Sequence, residues 1–123
     1  MTSETRVFKT WIGKEGICHT VVKPKAEIRI EDTIKNTELV KEISNGNTYP
    51  MLVDIRVIKS INKPARDYFA THHHAPMVKA IGVLVKSPVS EMIGSFFLGF
   101  NRPGVPLQLF TSKKKALTWL KQL

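Results

Sequence analysis

The architecture of this chain follows most directly from the segment PMLVDIRVIKSINKPARDY, which spans residues 50–68. It opens with a short apolar strand, residues 51–53, that ends at Asp54. A loop with basic and hydroxyl side chains follows, and Asn62 and Pro64 are residue types that begin helices. Because ligands and partners dock at the carboxyl ends of strands in open α/β sheets, the segment predicts a functional edge there.

Strand-like and helix-like segments alternate on both sides of it. Two apolar runs separated by a Gly-containing turn predict a hairpin near the N-terminus. Residues 77–85 are apolar on both faces, as a central parallel strand is, and Ser87 and Pro88 then begin a helix whose apolar residues recur at helical spacing. The predicted strands are 6–12, 17–22, 51–54, 77–85 and 106–110, and the predicted helices are 31–45, 63 to 72 or 73, 88–100 and 112–122.

This order of elements predicts the fold class. Repeated strand–helix units require a largely parallel sheet. We therefore expect a single α/β domain over residues 1–123, since two separate cores would not fit comfortably in this length. The sheet is expected to have four or five strands, mostly parallel, with an antiparallel N-terminal hairpin and four helices. Residues 1–5 are expected to be a loose tail.

Composition limits the partners and the location. The net charge of +9 and the pI near 9.9 attract polyanions and acidic proteins. The cations are dispersed and no zinc-finger or RNP-type motif is present, so specific nucleic-acid binding is not expected. No run of about 18 apolar residues could span a membrane, and the N-terminus lacks the apolar stretch of a signal peptide. We therefore expect a cytoplasmic protein in which the single cysteine, Cys18, is a small buried hydrophobe.

The order of elements, with an LVD strand leading into a loop and a helix, resembles the STAS domain, whose best-known members are anti-sigma-factor antagonists of the SpoIIAA type. Val53-Asp54-Ile55 matches the hydrophobic-Asp-hydrophobic step of their central strand. Similarity to a family of small, uncharacterised STAS-like bacterial proteins extends over residues 8–120 and is carried by PMLVDIRVIKS, ARDYF, FFLGFNRP and LFTSKKKALTWL. The resemblance implies a SpoIIAA-like (STAS) α/β fold and a non-enzymatic regulatory role.

The phosphorylation motif of those antagonists is not preserved. In that family an Asp-Ser-Ser-Gly-like motif begins the helix after the loop, and a partner kinase phosphorylates its serine to break the complex. Here Asn62 takes the place of the Asp, and Pro64, which has no hydroxyl, lies on or next to the acceptor position. The switch therefore cannot operate as it does in that family. Ser60 is the nearest alternative acceptor, and a phosphate on it would face three cations, Lys59, Lys63 and Arg66.

We predict an interaction module that binds a protein partner through the loop and helix start at residues 56–66. Asp54 would hold the loop in shape, either by accepting hydrogen bonds from it or by pairing with Arg56 or Arg66. The cations would then face an acidic partner. The predicted partner-binding residues are Asp54, Arg56, Lys59, Ser60, Asn62, Lys63 and Arg66.

A small enzyme that uses Asp54 and a histidine is a rival interpretation, and it requires a deep pocket near Asp54. No second catalytic group is adjacent in sequence, and the common nucleotide-binding and hydrolase motifs are absent. The run of residues 72–74, three histidines, suggests a metal site, but consecutive helix positions point about 100° apart and do not easily share one ion. We therefore predict no catalytic residue, no metal site and no cofactor.

The segment of residues 96–100 carries more apolar side chains than one buried helix stripe needs. Core packing explains them, and so does a homodimer contact. They would also suit a carrier, in which they close over an apolar or lipid-like small molecule. The residues concerned are Phe96, Phe97, Leu98 and Phe100.

Three lysines are predicted in the first turn of the last helix, with Thr111 as its N-cap. Cations at this end oppose the helix dipole, at a cost of roughly a few tenths of a kcal/mol each. A site for phosphate or acidic lipid headgroups would explain the placement, and so would a tolerated surface feature. The candidate anion contacts are Lys113, Lys114 and Lys115.

Overall fold

A computed structural model describes residues 2–72, 78–99 and 105–123. The strands are β1 (Thr2–Glu4), β2 (Phe8–Ile12), β3 (Cys18–Val22), β4 (Glu27–Ile28), β5 (Tyr49–Asp54), β6 (Ser60–Ile61), β7 (Val78–Leu84) and β8 (Leu107–Phe110). The helices are α1 (Ile30–Ser44), α2 (Lys63–His72), α3 (Pro88–Leu98) and α4 (Lys113–Lys121). None of these helices, within the described ranges, is long and apolar enough to cross a membrane.

The main sheet confirms the predicted fold class. Its strand order is β1-β2-β3-β5-β7-β8. The hairpin β2–β3 is antiparallel, and β3, β5, β7 and β8 are all parallel to one another. A mixed sheet with an antiparallel N-terminal end and helices on both faces is the α/β arrangement that the repeated strand–helix units predicted.

The sheet has six strands, one more than the upper expectation. Residues 2–4, expected as part of a loose tail, form β1 and pair antiparallel with β2. This strand is short and polar, so its pairing rests on the backbone groups that β2 offers at the sheet edge rather than on an apolar pattern. The structure also contains a small separate sheet of two parallel strands. Its strand β4 precedes α1, and its strand β6 lies in the loop that follows β5.

Two helical layers cover the sheet. On one face Leu52 and Leu84 pack with Ala116 and Leu120 of α4. On the other face α1, α2 and α3 cover the strands, and Phe97 of α3 packs in a cluster with Ile81 and the neighbouring strand residues. Leu52 and Leu120 are almost fully buried, as expected for a sheet covered on both sides.

The last helix begins one residue later than expected. Its N-cap is Ser112, whose Oγ accepts a hydrogen bond of 3.3 Å from the backbone N–H of Lys115. The assignment of Thr111 as the cap was wrong. Two adjacent hydroxyl residues are equally good caps in sequence terms, and the backbone conformation decides between them. The three lysines nevertheless occupy the first turn, where they are exposed.

Candidate functional site

Asp54, at the carboxyl end of β5, is held by Arg56. Its Oδ1 accepts hydrogen bonds from the Arg56 backbone N–H at 3.1 Å and from Nε at 3.0 Å. Its Oδ2 accepts from Nη2 at 2.8 Å. Asp54 is buried, whereas 37% of the Arg56 side chain remains exposed. The hydrogen bonds that the Arg56 side chain donates to Asp54 raise the pKa of Arg56 above its ordinary value. The negative charge of Asp54 is therefore balanced by the guanidinium of Arg56, and a carboxylate paired in this way suits a loop anchor better than a general base.

The loop after Asp54 is fastened to its surroundings by its backbone. The N–H of Ile55 donates to the Leu84 carbonyl at 3.0 Å, and the N–H of Lys59 donates to the Ala26 carbonyl at 2.9 Å. Ile55, Ile58 and Ile61 are buried in the core, so the intervening residues point outward. Val57, Lys59, Ser60 and Asn62 are exposed. The loop thus presents a fixed row of side chains to solvent.

The start of α2 has the cap that the sequence predicted. Asn62 Oδ1 accepts a 3.0 Å hydrogen bond from the Ala65 backbone N–H. Lys63 pairs with Asp67 at 2.8 Å across one helical turn. Arg66 does not pair with Asp54. Its Nη1 donates to the Ile61 carbonyl at 3.0 Å, and its guanidinium lies 5.5 Å from the centre of the Phe96 ring, within cation–π range.

Strand register brings cations from distant parts of the sequence to one edge. Asp54, Leu84 and Phe110 are the last residues of β5, β7 and β8, and they lie side by side across the sheet. Neighbouring strands are about 4.8 Å apart, so the segments that follow these strand ends leave the sheet at the same edge. We call this surface the cationic edge, and its members are Lys25, Arg56, Lys59, Lys86, Lys113, Lys114 and Lys115.

The cationic edge joins two groups that the sequence presented separately. The loop from Arg56 and the lysines of α4 lie more than 50 positions apart in the chain. Lys25 and Lys86 were not among the predicted contacts. Each follows shortly after a parallel strand, and this position in the sequence could have predicted that they lie at this edge. Glu27 lies 3.9 Å from Lys59, and Glu91 is in the first turn of α3, so the edge also carries acidic groups.

The apolar group on α3 divides in two. Phe97 is buried and stacks on Phe69 of α2, with ring centres 4.2 Å apart. Phe96 and Leu98 are about two-fifths exposed, and Phe100 lies outside the described residues. Among the three described members, Phe97 lines the apolar pocket between the sheet and α1, α2 and α3, and Phe96 and Leu98 do not. The role of this segment as a ligand or dimer contact stays a prediction.

Asp54 and His19, the described residues that the enzyme interpretation would use, each have another partner. Asp54 is not among the residues that line the apolar pocket. His19 Nε2 contacts Glu15 Oε1 at 2.8 Å, and its ring stacks on Trp11, at the end of β3 remote from Asp54. Residues 73 and 74 of the histidine run lie outside the described residues. Among the described residues, no group of three or more His, Cys, Asp or Glu side chains could hold a metal ion.

Cys18 should be chemically inert in the folded protein. Burial raises the pKa of its thiol to about 12, and the thiolate is the reactive form. We expect Ellman's reagent at pH 8 to react with the native chain at least about 100-fold more slowly than with the urea-unfolded chain. As this is the single cysteine, the absorbance reports it alone. Equal rates in the two states would contradict the burial of the thiol.

Known structures share this fold at low sequence identity. An uncharacterized protein of the DUF3478 family with a SpoIIAA-like fold, from Shewanella loihica, is 20% identical, with 98% of each chain covered and a TM-score of 0.69. An anti-sigma factor antagonist from Mycobacterium paratuberculosis is 13% identical, with 97% of this chain and 98% of the other covered and a TM-score of 0.61. These matches confirm the SpoIIAA-like (STAS) fold that the sequence resemblance implied.

Comparison of the sequence with protein families gives one assignment. A search of curated proteins found no significant match. The family model described as "Domain of unknown function (DUF7793)" matches residues 10–123, nearly the whole chain. The chain therefore belongs to this family of unknown function, and its fold is SpoIIAA-like.

Proposed function

We propose that this chain is a non-enzymatic regulatory module that binds an acidic surface of a protein partner through residues 56–66 and the adjoining cationic edge. The observation that carries the proposal is the Asp54–Arg56 unit. It uses the buried carboxylate to fix a loop and leaves the guanidinium partly in solvent. A carboxylate that is paired in this way holds the loop in a fixed conformation and supports a structural rather than a catalytic role for Asp54.

A loop fixed before binding favours association with a protein. Its backbone is tied to β4 and β7, so little conformational entropy is lost when a partner docks. Val57 is 50% exposed between Arg56 and Lys59. An exposed apolar side chain flanked by cations supports a contact with an apolar centre and a charged rim.

The electrostatic field supports an acidic partner. The N-terminal ends of α3 and α4 lie at the same edge as the lysines, because each helix follows a parallel strand. Helix N-termini carry partial positive charge, which adds to the side-chain charge. An anti-sigma factor antagonist shares the fold, and this likeness supports a regulatory role for the present chain.

Charge reversal at the loop tests the proposal. The variant Lys59→Glu/Lys63→Glu replaces two well-exposed side chains, and the matched control Lys41→Glu/Lys121→Glu makes the same change in net charge at the last turns of α1 and α4. Tagged chains would be used to capture partners from cells of the source organism, followed by quantitative mass spectrometry. We avoid Arg56→Glu because its carboxylate would face buried Asp54.

We expect a stoichiometric protein partner with wild type and control, and at least a tenfold loss with the loop variant. Capture should also weaken between about 0.05 and 0.5 M salt, because exposed charges are screened. A partner that the loop variant retains, or that both variants lose equally, would contradict binding through residues 56–66.

A further inference from the structure

A separate apolar pocket lies between the sheet and its helices. Its volume is about 110 Å³, and its described lining comes from the sheet, from α1 and α2, from Phe97 of α3, and from the buried side chains of Ile55, Ile58 and Ile61 in the loop after β5. The exposure of β5 shows that this face is incompletely covered. Leu52, which faces α4, is 2% exposed, whereas Met51 and Val53 on the opposite face keep partial exposure although β5 is a central strand.

One wall of the pocket carries a closed ring of neutral hydrogen bonds. Thr10 donates to Asn36 Oδ1 at 2.8 Å, and Asn36 Nδ2 donates to Thr20 Oγ1 at 3.4 Å. Thr10 and Thr20 are joined at 3.1 Å. Since the single hydroxyl hydrogen of Thr10 is given to Asn36, Thr20 is the donor in that last bond. The ring satisfies these buried groups without using any charge.

Two threonine hydroxyls of α1 bear on which ligand could bind in the pocket. On α1, Thr33 Oγ1 donates to the Ile30 carbonyl at 2.7 Å, and Thr37 Oγ1 donates to the Thr33 carbonyl at 2.9 Å. Both residues line the pocket. A hydroxyl whose hydrogen is already donated presents its lone pairs to any additional partner, so a ligand that bonds to either of these two threonines must bring the hydrogen.

The described lining disfavours an ionised ligand. None of the described residues around the pocket has a charged side chain. An isolated carboxylate or ammonium group transferred into such surroundings loses its hydration without compensation. A neutral molecule with an apolar body has no such cost, and an engineered apolar cavity of about 150 Å³ accommodates benzene.

We propose that this pocket is a binding site for a small, neutral, mostly apolar molecule that carries one hydroxyl group and is no larger than about a benzene ring. The hydroxyl donates to Thr37 Oγ1, and the apolar body lies against Met51 and Val53. The ligand contacts none of the side chains of the cationic edge, although Ile55, Ile58 and Ile61 of the same loop line the pocket. The proposal does not depend on the protein-binding role.

Phenol and benzoate are suitable probes because they have similar rings and differ in charge at pH 7. Binding would be measured by titration of the ¹⁵N-labelled chain, following amide resonances of α1 and β5.

Three variants test the lining. Val53→Phe places a ring in the open space of the pocket, and Met51→Phe replaces it if the first variant does not fold. Thr37→Val removes the acceptor. Its control is Thr118→Val, where an exposed threonine of α4 makes the same bond to the carbonyl four residues earlier.

We expect saturable shifts with phenol at millimolar concentration and none with benzoate. Val53→Phe should abolish them, Thr37→Val should weaken binding roughly threefold to tenfold, and Thr118→Val should leave it unchanged. Absence of phenol binding, equal binding of benzoate, or unchanged affinity in Thr37→Val would overturn the proposal.

Discussion

Replacing Arg56 with alanine will lower the free energy of unfolding by about 3 kcal/mol, more than replacing Asp54 with alanine. The variant Arg56→Ala leaves a buried carboxylate without its cation, and breaking such a pair from one side costs roughly 3–5 kcal/mol. The lower end applies because the guanidinium is partly exposed. In Asp54→Ala the remaining guanidinium reaches water, so the expected loss is about 1.5–2 kcal/mol.

Urea unfolding of the two single variants and the double variant measures this asymmetry. The double variant should cost less than the sum of the singles, because removing both partners leaves no unpaired charge. The slope of unfolding free energy against urea should remain constant, so that the midpoints report stability alone. An Asp54→Ala loss equal to or above that of Arg56→Ala would contradict the described burial of the carboxylate.

Replacing Gly94 with valine will destabilise the fold by about 3 kcal/mol. A Cβ at Gly94 would lie 2.8 Å from Val85 Cγ1 and 3.2 Å from Leu109 Cδ2. Val85 is buried and β-branched, so it has little freedom to move aside. Overpacking of this kind costs roughly 1–3 kcal/mol, which exceeds the gain of up to about 1 kcal/mol from replacing a helical glycine.

Thermal and urea unfolding would be compared with Ser95→Val, which adds a similar side chain at the next, exposed position of α3. That control should change stability by less than about 1 kcal/mol. Combining Gly94→Ala with Val85→Ala should cost less than the sum of the two single variants, since the second change opens the space that the new Cβ needs. Equal effects at positions 94 and 95 would show that α3 does not approach the sheet closely.

The sequence predicted the α/β class and the main elements because apolar periodicity is local. The strand that ends at Asp54, the cap at Asn62 and the helix at Pro88 each depend on residues within a few positions of one another. The strand of residues 2–4 has no such apolar pattern. It forms because β2 offers backbone groups with which it can pair. Its existence depends on sheet topology rather than on its own composition.

The candidate site was predictable only in part, because some of its residues are close in sequence and others are brought together by the topology of the sheet. Asp54 and Arg56 are two positions apart, so their pairing was among the expected alternatives. Lys86 and the lysines of α4 join the same edge through strand register, which no local pattern records. Periodicity also placed Phe96 and Phe97 together, whereas only the orientation of α3 shows that one is exposed and the other buried.

Cross-linking mass spectrometry of the captured complex tests the central claim most directly. A lysine-reactive reagent reports the position of the partner without any mutation, and exposed lysines occur in β2, in α1, in α2 and in α4 as well as in the loop after β5. Binding through residues 56–66 predicts cross-links to the partner from Lys59 and Lys63 and from the adjoining Lys86. Cross-links confined to Lys35, Lys41 and Lys121 would place the partner on another surface and contradict the account.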